Sequence, residues 1–81
     1  MRKIKSLREH LIIEPGEIYN YKIEEYKVIT ATTEVLWTSA DSINMTEKVY
    51  LLENIKTGER ERISERFLKA ELPKYNEVVM L

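Results

Sequence analysis

From Glu17 to Trp37 the apolar and aromatic residues recur mostly at every second position, and this period constrains the chain more than any other feature. Tyr19 and Tyr21 share one face. Tyr26, Val28 and Thr30 share another, with Lys27 and Ile29 pointing away. Alternation of this kind belongs to half-buried strands, whose successive side chains leave opposite faces of a sheet. Ile23-Glu24-Glu25 provides the short connection, so the segment predicts a hairpin. Strand character then runs on through Thr30-Ala31-Thr32-Thr33-Glu34-Val35-Leu36-Trp37, rich in β-branched and aromatic residues. A run of this length predicts a strongly curved strand or a bulge near Thr32-Thr33.

Further punctuation is sparse, with two glycines and two prolines in 81 residues. Thr38 to Ser42 reads as a polar loop. Lys48 to Ile55 reads as a strand, Lys56-Thr57-Gly58-Glu59 as a turn, and Arg60 to Ile63 as the returning strand. Residues 64–69 suggest a helical turn that sets Phe67 and Leu68 against the end of the sheet, before Pro73 stops it. Val78 to Leu81 suggests a closing strand, since a free apolar edge invites association.

At the other end, Ser6-Leu7-Arg8-Glu9 matches a capping box and predicts a short helix from about Leu7 to Leu11, the competing reading being a strand through Leu11, Ile12 and Ile13. Pro15-Gly16 ends either element. The expectation is a mainly β single domain over residues 1–81, with an N-terminal helix or arm at 1–13 and a five-stranded, bent antiparallel barrel at 16–81. Its expected core is Ile18, Val28, Leu36, Val49, Leu51, Ile63 and Leu68.

Enzymatic chemistry lacks its parts. There is no cysteine and a single histidine, His10, so neither a thiol nucleophile nor a His/Cys metal cluster can be assembled. Gly16 and Gly58 are too far apart for a phosphate loop. The carboxylate pairs Glu24-Glu25 and Glu59/Glu61 read as solvated turns. We therefore expect no enzyme, no catalytic residue, no metal and no cofactor. The longest apolar runs are far shorter than the roughly 20 residues that span a bilayer, and the basic start has no apolar run behind it, which predicts a cytoplasmic protein. An absent disulfide framework also raises the expectation of a homo-oligomer, because a small core gains from burial between copies.

Binding residues are better supplied. Tyr and Trp, together with Arg, dominate interface hot spots, and the chain carries five tyrosines and Trp37. Tyr26 and Tyr50 are expected in the core, whereas Trp37 borders the polar loop. Arg60 and Arg62, two apart on a strand, point to one side, and Lys56, Arg66 and Lys69 lie close in sequence. Interleaved Glu59, Glu61 and Glu65 predict a surface ion-pair ladder that would quench a field meant for nucleic acid. The expected partner-binding set is Trp37, Ser39, Asp41, Arg60, Arg62 and Arg66.

Pro15-Gly16-Glu17-Ile18-Tyr19 leading to Tyr21-Lys22, then Tyr26-Lys27-Val28-Ile29, Val49-Tyr50, Thr57-Gly58-Glu59 and Phe67-Leu68 resembles a group of short bacterial and phage proteins with an SH3-like barrel. The resemblance covers roughly residues 15–69 and implies an SH3-like fold. With the composition, it points to a non-enzymatic protein-binding module, such as a small phage-encoded inhibitor of a host or defence protein. A nucleic-acid-binding accessory protein is the alternative, and an oligomer that sequesters a nucleotide signal is a third.

Overall fold

The computed structural model describes the backbone of residues 1–38 and 44–81, and the side chains of residues 1–35 and 46–81. The fold is mainly β. Seven strands are described: β1 (Lys3–Leu7), β2 (His10–Ile12), β3 (Ile18–Tyr21), β4 (Glu24–Thr38), β5 (Asn44–Asn54), β6 (Arg60–Ser64) and β7 (Glu77–Met80). One helix, α1 (Glu65–Glu71), and a 3-10 turn at Leu72–Lys74 separate β6 from β7.

The strands form two sheets, ordered β2-β1-β7 and β3-β4-β5-β6, and neither closes into a barrel. The four-stranded sheet is an antiparallel meander. Its end strands are not paired with each other, yet Tyr21 of β3 and Ile63 of β6 line one groove, so the sheet curls until its two edges approach. The second sheet is mixed, with β1 antiparallel to β2 and parallel to β7.

The N-terminal helix expected over Leu7 to Leu11 is replaced by the β1–β2 hairpin. Arg8 takes a positive φ of 57° in its two-residue turn, and the Ser6 hydroxyl lies 3.2 and 3.3 Å from the carbonyls of Arg8 and His10, donating into the turn rather than capping a helix. The pattern Ser-x-x-Glu, expected to start a helix, instead spans the turn of a hairpin. The β3–β4 connection is also tighter than the expected Ile23-Glu24-Glu25. Tyr21 pairs with Glu24, leaving Lys22 at φ 58° and Ile23 as the turn.

β4 is one continuous strand, with register shifts between Val28 and Thr30 and between Val35 and Trp37 rather than at Thr32-Thr33. It pairs with β3 only through Lys27, and β5 pairs with β6 only from Val49 onward. The remainder of both strands is a two-stranded ribbon. The radius of gyration, 14.0 Å with extents of 46 × 32 × 18 Å, exceeds the roughly 12 Å of a compact chain of this length, as a projecting ribbon requires.

The core lies between the two sheets and α1: Ile4, Ile13, Tyr19, Tyr21, Val28, Tyr50, Leu52, Ile63, Leu68 and Leu72. Val28, Val49, Ile63 and Leu68 are buried as expected, while Ile18 and Leu51 are half-buried and Leu36 has its side chain outside the described residues. Leu68 is fully buried, but Phe67 is 49% exposed and does not cap the sheet. Ser64 caps α1 by accepting from the Phe67 amide at 3.4 Å, which turns the chain from β6 directly into the helix.

Candidate interaction face

Cross-strand partners share a face, so the register of β4, β5 and β6 determines which side chains stand together. Lys27, Glu53 and Arg60 form one row. Thr30, Leu51 and Arg62 form the next, followed by Thr32, Val49 and Ser64, and then by Glu34 opposite Glu47. This face is turned away from the core residues Val28, Tyr50, Leu52 and Ile63, which alternate with it. It consists of an apolar strip, Val49 and Leu51, bordered by carboxylates and arginines.

The arginines are paired across strands. The Arg62 guanidinium bonds Glu34, the Arg60 Nε donates to Glu53 at 3.2 Å, and Arg66 at the start of α1 approaches Glu47 at 3.7 Å. Arg62 and Arg66 thereby relieve the repulsion expected of Glu34 and Glu47 placed directly opposite each other. A ladder was expected, but with Glu59, Glu61 and Glu65 as partners. Glu65 does pair with Lys69 of the expected set, and it also takes Lys48 and accepts a hydrogen bond from the Tyr50 hydroxyl at 3.0 Å. The arginine side chains keep 56, 61 and 89% of their surface at Arg60, Arg62 and Arg66.

Trp37 does not stand beside Arg62. Its backbone pairs with Met45, while Arg62 pairs with Leu51. Six residues of β5 separate these rows, about 20 Å at roughly 3.3 Å per residue. Arg66 comes nearer, because its partner Glu47 is two residues from Met45. Ser39 and Asp41 lie outside the described residues, as does the side chain of Trp37.

Some features of this region have no signal in the sequence. Tyr21, Lys22, Glu61, Arg62, Ile63, Ser64 and Phe67 enclose a groove of about 410 Å³ where the β3 and β6 edges converge, so Arg62 borders both the face and the groove. Tyr21 sits edge-on to Tyr26 and Tyr75, with ring centroids 5.6 and 6.2 Å apart, and Lys22 lies over its ring at 5.1 Å. The carboxylates of Glu24 and Glu25 diverge: Glu24 accepts from Asn54, and Glu25 accepts from Arg2.

Among the described residues no group of three or more His, Cys, Asp or Glu side chains is placed to hold a metal ion. No described helix is long and apolar enough to cross a membrane. Compared with known proteins, the chain matches no family model, no curated protein and no solved structure.

Proposed function

We propose that this protein is a non-enzymatic module that binds another protein through the outer face of β5, β6 and the start of α1, as a small phage-encoded inhibitor of a host or defence protein would. The curled four-stranded sheet is read as the counterpart of the SH3-like barrel that the sequence resembles, and the working compartment as the cytoplasm. The observation that carries the proposal is the exposure of Arg60, Arg62 and Arg66 around the half-buried Leu51, with the buried Val49 beneath. Exposed ion pairs contribute only about 0 to 1 kcal/mol, so a partner carboxylate can replace Glu34 or Glu47 at little cost. The guanidinium then gains a drier, two-pronged contact. Alternating charge suits a protein surface of mixed sign better than the uniform charge of nucleic acid.

The test is mass-resolved affinity capture from a bacterial lysate with the parent chain, Arg62→Glu, Arg66→Glu and Trp37→Ala, followed by titration of the recovered partner. The two arginine variants should stay folded and each weaken binding by about 1 to 2 kcal/mol, a hot-spot threshold. A parent that retains no stoichiometric partner, or arginine variants that bind as well as the parent, rejects the reading. Trp37→Ala locates the boundary of the contact, since Trp37 lies on the ribbon away from Arg62.

One observation favours the nucleic-acid reading. Lys3, Lys5 and Arg8 on the β1–β2 hairpin have no carboxylate within ion-pair distance among the described residues. Glu14 and Glu17 nevertheless line the same cavity as the two lysines, which weakens the local field. Salt separates the readings, because each phosphate contact adds roughly 0.7 to 0.9 to the slope of log affinity against log salt.

A further inference from the structure

We infer that β7 is a self-pairing edge through which two copies of this chain join their three-stranded sheets into one six-stranded sheet. β7 ends the order β2-β1-β7. The Glu77 amide donates to the Arg2 carbonyl at 2.8 Å and the Leu81 amide to the Ser6 carbonyl at 2.9 Å. Backbone groups of a strand alternate sides, so those of Val78 and Met80 point outward along the free edge.

Of the four strands that end the two sheets, the other three are guarded, and this one is not. β6 presents Arg60, Glu61 and Arg62, charges of the kind that keep an edge from pairing. The edge of β3 is filled by the Asn76 side chain, which bonds the Asn20 backbone. β2 has only three residues. β7 reads Glu-Val-Val-Met, with Val78 41% and Met80 61% exposed and Leu81 beyond it 65% exposed.

The occupant that fits is a second β7 running antiparallel across a two-fold axis. With Val79 opposite Val79 of the partner subunit, Val78 faces Met80 of the partner subunit and Met80 faces Val78 of the partner subunit. Each outward amide then meets an outward carbonyl, and apolar residues meet apolar residues on both faces. Glu77 lies opposite Leu81 of the partner subunit, so no like charges are opposed. The strands are short, and a four-residue strand pairing is smaller than the roughly 1,200 Å² of stable complexes, so the dimer is a weak one that forms only at high concentration. This edge belongs to the other sheet from the arginine face, so the two proposals fail independently.

Sedimentation equilibrium of the full chain from about 10 µM to about 1 mM tests it. The mass should rise from 9.7 kDa toward twice that value. Met80→Pro removes an outward amide without touching the ladder to β1, and Val79→Lys opposes two lysines at the axis. Both should remain at the monomer mass with an unchanged circular dichroism spectrum. In the parent, exchange of the Val78 and Met80 amides should slow as concentration rises. A parent that stays monomeric to 1 mM, folded variants that associate like the parent, or exchange independent of concentration would each overturn the inference.

Discussion

The side-chain amide of Asn76 fills the place of a missing strand. Its oxygen accepts from the Asn20 amide at 2.9 Å, and its nitrogen donates to the Asn20 carbonyl at 2.7 Å and to the Leu72 carbonyl at 2.8 Å. It is 4% exposed, so removing it leaves the Asn20 amide and carbonyl without these partners, while the Leu72 carbonyl keeps the Tyr75 amide at 3.1 Å. Asn76→Ala should therefore destabilise the fold by about 2 to 4 kcal/mol, since each unsatisfied buried group costs roughly 1 to 3. A denaturant midpoint close to that of the parent would show that water enters and replaces the amide. Titration draws on a second network. Burial acts to raise the Glu65 carboxyl, yet hydrogen bonds from Tyr50 and Lys69 and the charges of Lys69 and Lys48 outweigh it and hold the group below its ordinary 4.5. Its contribution to stability is present above that value and is lost as pH falls through the lower folded value. Burial, with the bond to Glu65, drives the Tyr50 phenol upward from 10.0, and burial also raises Tyr19 and Tyr21. Their neutral forms contribute fully below 10 and lose that contribution as pH climbs past it. Denaturant midpoints measured against pH should fall on both sides of a plateau. Glu65→Gln should flatten the acid limb and Tyr50→Phe should soften both, whereas unchanged limbs in the two variants would place the linkage elsewhere.

Along β5 the buried side chains are Tyr50, Leu52 and Asn54, with Val49 buried on the opposite face by 8% residual exposure. Leu52→Ala should cost about 2 to 5 kcal/mol, as a fully buried leucine does, and Leu51→Ala clearly less. Equal costs in a denaturant titration would mean that the outer face is as well covered as the core. Val49-Tyr50-Leu51-Leu52 is four apolar residues in a row, in which either alternate pair reads as core, and this is why Leu51 was expected inside. The β5–β6 hairpin was legible because Gly58 and its turn residues sit between two clear alternations. The helix after Ser64 was legible as a single turn ahead of Pro73, although it runs on to Glu71. The β1–β2 hairpin was not, since Ser6 and Glu9 carry the spacing of a helix start. For the candidate face, the two-residue spacing of Arg60 and Arg62 disclosed that they point the same way. Their partners Glu53 and Glu34 belong to other strands, and only the register brings them there.

At the scale of the molecule, the ribbon of β4 and β5 carries Trp37 away from the arginines, so these members of the expected binding set stand apart. The body holds together through pairings between residues distant in the chain. Ile4 pairs with Val78, and Lys3 with Glu77, contacts that lie at opposite ends of these 81 residues and have no local signal in either segment. β1 is made about 70 residues before the strand that completes its sheet. Until then Ile4 has part of its eventual burial missing, and the β1–β2 hairpin is a two-stranded unit of the marginal kind. Synthesis at about 5 to 20 residues per second leaves that hairpin waiting several seconds, a period in which the four-stranded sheet, built from neighbours in sequence, can already have formed around Val28 and Tyr50.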